Sequence, residues 1–175
     1  MAYTFAMGSR KLYDFLQDNP MCASYPVNYI NDPRIICMND KMISVNNAIE
    51  VDLFSQVSSE SVGIHQKTGT GGQLDFLLGA FHSSGGKAII ALSSTYQDKS
   101  GQLHSRIVPM LTPGTIVTAP RSMVQFVATE YGMVRLSGKS TWERAEALIQ
   151  IAHPDFQEDL IRHAEKMNIW LKRTH

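Results

Sequence analysis

The stretch Gly85-Gly86-Lys87-Ala88-Ile89-Ile90-Ala91-Leu92 decides the fold class. A glycine pair makes a turn, and a short unbroken apolar run follows it. A run that brief, rich in isoleucine and bounded by turn residues, predicts a strand over 87–92 buried on both faces. Strands of that kind belong to parallel sheets, which need crossover helices. Helical periodicity flanks the run as required. Residues 74–81 read as a short helix. Downstream, Ser140-Thr141-Trp142-Glu143 has the S-x-x-E spacing of a capping box. Ala145, Leu148, Ile149 and Ala152 follow it as one apolar stripe. His153-Pro154 ends that helix, and Asp155 starts another with Phe156, Leu160, Ile161, Ala164 and Met167 facing inward.

Further strands are expected at 3–7, 34–38, 42–46, 105–111, 115–118 and 125–129, with a helix over 9–19 that carries Leu12, Phe15 and Leu16 on one face. Over 48–54, Ile49, Val51 and Leu53 alternate with Glu50 and Asp52, the pattern of a strand with one apolar and one polar face. Neither a repeat nor a low-complexity linker divides the sequence. The whole reads as one α/β domain, an open mixed or parallel sheet flanked by helices, with a helical C-terminal end.

Composition narrows the function classes. The chain has 175 residues, 43% of them hydrophobic, which suffices for a core. Sixteen Lys and Arg balance 16 Asp and Glu, so the basic surplus of a general nucleic-acid binder is missing. No apolar run approaches the roughly 18 residues of a membrane span. The first ten residues hold no charged leader before an apolar stretch, so a cytoplasmic location without a secretory signal is expected. Cys22 and Cys37 are too few for a disulfide framework and are expected as free thiols. The six histidines show no ligand spacing for a metal, and no G-x-S-x-G elbow marks a serine hydrolase.

The strongest local signal is Gly69-Thr70-Gly71-Gly72-Gln73-Leu74-Asp75-Phe76. Three glycines in four positions permit positive φ and close approach of a ligand to the amides. A helix starting near Gln73 would aim free N–H groups at a phosphate, a carboxylate or an oxyanion. Asp75 is expected to cap that helix. The same glycines equally suit a tight turn. Asn46 and Asn47 close a strand, where an asparagine either donates to a carbonyl or merely turns the chain. Glu130 follows an apolar strand, at the strand end where ligands bind in α/β sheets, or else is a solvated terminus. Arg106 either binds an anion or lies on the surface.

These motifs, taken in order, resemble the C-terminal domain of the acetyl-CoA hydrolase/transferase family, nearest to the 4-hydroxybutyrate and butyryl-CoA:acetate CoA-transferases. The resemblance rests on Gly8-Ser9-Arg10-Lys11-Leu12-Tyr13-Asp14-Phe15, on 44–52, on the octet 69–76, on 85–90 and on Ser105-Arg106-Ile107-Val108-Pro109. Thr129-Glu130-Tyr131-Gly132 and Ala152-His153-Pro154 complete it. It runs nearly end to end, and the G-x-G-G-Q-x-D-F octet is its most specific part.

The resemblance implies a CoA-transferase-like fold over 1–175 and a ping-pong exchange of CoA between an acyl-CoA and a small carboxylate such as acetate. A glutamate of an upstream domain would be the nucleophile, passing through a glutamyl-CoA thioester. No His-Ser/Thr-Glu segment of that kind occurs in these 175 residues. The chain therefore reads as a domain or fragment that cannot complete the exchange alone. By resemblance, Asn46 would touch the reacting carbonyl and Glu130 would hold the closed, CoA-bound arrangement. Gly69, Gly71, Gly72 and Gln73 would lie along the acyl or CoA moiety. CoA would be substrate with no permanently bound cofactor, and the assembly would be a homodimer. An acyl-CoA hydrolase, with water as acceptor, and a non-catalytic CoA-binding module are the competing readings.

Overall fold

The structure is a computed structural model that describes residues 1–169. It opens with β1 (Ala2–Tyr3), α1 (Arg10–Leu16), β2 (Ala23–Ser24), α2 (Val27–Ile30) and α3 (Pro33–Ile36). A strand-rich section follows: β3 (Ile43–Asn47), β4 (Glu50–Asp52), β5 (Val57–Ser58), β6 (Ser61–Val62) and β7 (His65–Gln66). Then come α4 (Gln73–His82), β8 (Lys87–Ala91), β9 (Thr95–Gln97), β10 (Leu103–Ser105) and β11 (Ile107–Val108). The chain ends on β12 (Phe126–Thr129), β13 (Gly132–Arg135), α5 (Thr141–Gln150) and α6 (Pro154–Lys166).

The organising sheet has the order β13-β12-β8-β3. β3, β8 and β12 run parallel, and β13 turns back antiparallel. The sheet is mixed and carries helices, in line with the α/β expectation. Ser44, Ala88, Ile90 and Val127 fill its buried face, beneath Leu77 and Ala80 of α4. The opposite face is only partly covered, and Ile43 and Val45 are exposed at 57% and 64%. The 87–92 strand is therefore closed on one face, not on both. A second sheet, β11-β4-β5, holds Val51, Val57 and Ile107 in the same core.

Local chemistry explains where the elements depart from the expected ones. Residues 34–38 are not a strand. The Asp32 side chain accepts from the Arg34 amide and Pro33 occupies the first turn, so α3 forms instead. Residues 115–118 make no strand; only a bridge from Ala119 to Val57 remains there. The strand expected at 105–111 pauses at Arg106 and ends at Val108, and the one at 3–7 is confined to β1. In β4 the alternation misleads, because Glu50 and Asp52 are as buried as Val51. The α1 stripe faces no core, since α1 buries no residue and Phe15 is 55% exposed.

The C-terminal pair follows the sequence closely. Ser140 accepts from the Glu143 amide and Glu143 reaches back to the Ser140 amide, so the capping box is present. α6 is capped by His153, whose Nδ1 accepts from the Asp155 amide, so the helix begins at Pro154, one residue ahead of Asp155. Both cysteines are free thiols.

Gly79 sets how closely α3 approaches α4. A Cβ there would run into the Ile36 side chain. Gly79→Ala should lower the unfolding free energy by about 1–3 kcal/mol, the usual cost of overpacking, read as a drop in urea midpoint at unchanged slope.

Candidate functional site

The parallel pairing places the C-terminal ends of β3, β8 and β12 side by side, with Asn47 opposite Ala91 and Ala91 opposite Ala128. Side chains just past these ends converge on one edge of the sheet, where open α/β sheets bind ligands. Beside β3 lies a cavity of about 340 Å³ lined by Asn46, Gly72, Gln73, Phe76, Asn31 and Tyr3, among others. Two separate motifs of the sequence, the asparagine pair and the glycine loop, thus meet at one place.

The structure separates the two asparagines. Asn47 is the turn residue: its Oδ1 accepts from the Ala48 amide at 2.7 Å and its side chain is exposed. Asn46 lines the cavity. Its Nδ2 donates to Ser44 Oγ at 2.7 Å, which orients the amide and leaves the second N–H to a ligand.

α4 begins at Gln73 with Gly72 as N-cap and no side-chain cap. Its first amides therefore lack intrahelical partners, and Asp75 sits in the first turn without capping. Gln73 Nε2 is buried and hydrogen-bonded to nothing. Gly69, Gly71 and Gly72 are not in the left-handed region, so positive φ is not why they are glycines. Gly72, at φ −79°, owes its identity to close approach, because a Cβ would strike Asn31 Nδ2. Gly69 and Gly71 face open space. Their loop is anchored by the buried Glu60, whose carboxylate accepts from Thr70 Oγ1 and Thr118 Oγ1, and whose carbonyl accepts from the Lys67 and Thr68 amides.

Glu130 is not in this cavity. It lies past β12, two strands from Asn46, where its carboxylate accepts from the Ser94 amide at 2.8 Å and from Ser94 Oγ. Ser94, fully buried, was not flagged by the sequence, although it stands past the end of β8 just as Glu130 stands past β12. Desolvation pushes the Glu130 carboxyl up, but the two Ser94 bonds, a backbone bond and the nearby His153 together outweigh it and leave it below the usual range. Arg106 is neither a surface residue nor placed against Asn46. Its Nη1 donates to the Ile49 carbonyl at 2.9 Å, and its amide donates to the Ser94 carbonyl. Among the described residues no group of three metal-ligating side chains occurs; His175 lies outside them. No helix there is long and apolar enough to cross a membrane.

The acetyl-CoA hydrolase/transferase C-terminal domain matches residues 8–164. The chain belongs to that family. Butyryl-CoA:acetate CoA-transferase of Anaerostipes caccae is 56% identical over 168 residues, covering 96% of this chain and 38% of the relative. The 4-hydroxybutyrate coenzyme A transferase of Clostridium kluyveri is 51% identical, over 93% of this chain and 37% of its own. Among solved structures, RipA from Yersinia pestis aligns with a TM-score of 0.86 at 43% identity, across 97% of this chain and 37% of that one. The 4-hydroxybutyrate CoA-transferase of Porphyromonas gingivalis aligns at 0.75 and 41% identity, across 95% and 37%. This member of the family thus spans about 38% of the length of the relatives it matches.

Two outcomes test this geometry. Gly72→Ala should lower the melting temperature, and pairing it with Asn31→Ala should restore most of the loss, as relief of a single contact requires. Glu130 contributes stability above its ordinary pKa of 4.5, and that contribution is lost as pH falls through its lowered value. Glu130→Gln should flatten the stability profile in that acid window and leave the slope near neutrality unchanged.

Proposed function

We propose that this chain is the C-terminal part of a CoA-transferase that moves CoA between an acyl-CoA and a carboxylate such as acetate. The acyl-CoA would be butyryl-, 4-hydroxybutyryl- or acetyl-CoA. The nucleophile is a glutamate of an upstream domain. Its carboxylate attacks the thioester carbonyl, forming an acyl-glutamyl anhydride and freeing CoA thiolate. The thiolate attacks the glutamyl carbonyl, giving a glutamyl-CoA thioester and releasing the acyl group as its carboxylate. The acceptor carboxylate then runs the two steps in reverse, so the thioester bond is conserved and the glutamate regenerated.

In this reading the residues described above form the facing wall. The free N–H of Asn46 donates to an oxygen on which charge grows in each tetrahedral step, in a cavity that Gln73 also lines. The uncapped start of α4 adds its positive dipole end to the same cavity. Glu130 acts through Ser94, fixing the turn that leaves β8, and so is a positioning residue. CoA comes and goes as substrate, without a resident cofactor. The complete enzyme works as a homodimer in the cytoplasm. The observation that carries the reading is the meeting of Asn46, Gly72 and Gln73 in one cavity at the end of a parallel strand, in a chain 56% identical to a butyryl-CoA:acetate CoA-transferase.

The 175-residue chain alone, given butyryl-CoA and acetate, should show no exchange. Turnover in the ordinary range of about 1–10³ per second would mean that a nucleophile lies within these residues and would refute the upstream glutamate. In the complete enzyme, Asn46→Ala should lower kcat by about 10²–10³, the cost of one oxyanion donor. KM for acyl-CoA and the melting temperature should hardly change. A variant that melts early yet keeps kcat in its folded fraction would reduce Asn46 to a structural residue. Release of free CoA from butyryl-CoA at equal rates with and without acetate would favour a hydrolase.

A further inference from the structure

A second cavity, of about 280 Å³, has Glu50, Lys67, Tyr96 and Arg106 on its polar side and Ile49 and Val62 on its apolar side. Glu50 stands out in it. The residue is only 8% exposed, and its Oε1 is hydrogen-bonded to nothing. Buried polar atoms without a partner are uncommon in folded proteins and call for a reason. Rotation about the terminal bond presents either carboxyl oxygen to the cavity, since such torsions are soft.

The charges that line the cavity do not cancel. Among the described residues neither Lys67 nor Arg106 is in an ion pair. Arg106 is held in place by the Ile49 and Thr95 carbonyls, and its guanidinium lies 5.1 Å from the centre of the Tyr96 ring. Among the described residues no hydrogen bond engages its Nη2. Burial and the neighbouring Asp52 push the Glu50 carboxyl up, with Arg106 opposing in part. Two cations and one carboxyl group thus line the cavity, and that lining is net positive in either protonation state of Glu50.

We infer that this cavity holds a phosphate-bearing portion of CoA, with Lys67 and Arg106 on the phosphate and Glu50 accepting from an adjacent O–H or N–H of the same ligand. The choice of ligand rests on the transferase reading. The cavity falls just short of the volume of a site for a whole drug-sized molecule, about 300–1,000 Å³, so it takes one part of a longer ligand. Asn46 and Glu50 are four residues apart, at most about 14 Å along even an extended chain. A ligand that reacts at Asn46 and ends here must span that interval. CoA is long enough to do so, with its thioester at one end and its phosphates at the other.

The test is equilibrium binding of CoA, adenosine 3′,5′-bisphosphate, inorganic phosphate and butyrate to the 175-residue chain and to Lys67→Ala, Glu50→Gln and Asn46→Ala. Lys67→Ala should weaken CoA and adenosine bisphosphate by about 10- to 100-fold, the loss of one charge-assisted hydrogen bond, at an unchanged melting temperature. Glu50→Gln should weaken both ligands less, and neither change should affect butyrate. Lys67 is exposed, so that variant carries the test even if Glu50→Gln fails to fold. CoA binding that is indifferent to Lys67→Ala would overturn the inference and leave the transferase reading intact. No CoA binding by the parent chain would overturn the inference, since Lys67, Arg106 and Glu50 all belong to it, and would leave the transferase reading to the complete enzyme. Inorganic phosphate binding as tightly as CoA would show a free-phosphate site, and tighter binding of butyrate an acceptor site; either would overturn the assignment to CoA.

Discussion

Five residues of parallel pairing, from Ile43 opposite Lys87 to Asn47 opposite Ala91, hold the candidate site together. Because the pairing is parallel, β3 and β8 end on the same edge, and the chain must cross back between them. α4 is the helix of that crossover, and it packs on both strands. Its first turn therefore comes to rest near the end of β3, which is how Gly72 and Gln73 reach Asn46. A one-residue slip would reverse every β3 side chain. Asn46 would leave the cavity, and Ile43 and Val45 would displace Ser44 from beneath α4.

The sequence was most informative where one signal dominated. The 85–92 run, the helix after the glycine loop and the capping box at Ser140 all lie where expected, because apolar periodicity and end chemistry agree there. Residues 34–38 were misread because Ile35, Ile36 and Met38 suit a strand by composition. The signal that overrides this is Asp32-Pro33, since an aspartate ahead of proline is how a helix begins. The burial of Glu50 and Asp52 could not be read from alternation, since period two tells which residues share a face but not whether that face meets solvent. At the site, the octet 69–76 was found for a partly mistaken reason. Its glycines do not need positive φ; Gly72 needs Asn31 to lie against it, a contact between residues 41 apart that no local pattern records.

Polar groups do much of the tying together between the two sheets. Glu60 joins the 67–70 loop to Thr118, and Arg106 joins the exit of β8 to the turn before β4. Each is a charged side chain spent largely on backbone or hydroxyl partners instead of on an opposite charge. Such bonds are short-ranged and directional, so they fix loop geometry with little dependence on salt. The edge of the main sheet is thereby held in shape by its own chain before any ligand arrives.

β3 is the last strand of that sheet among the described residues, and it shows Ile43 and Val45 to water with neither lysine nor proline inside it. Natural proteins usually blunt an open edge of this kind. Replacing either with threonine would cost the isolated fold little. A stability screen run on this chain would therefore score both positions as tolerant to substitution.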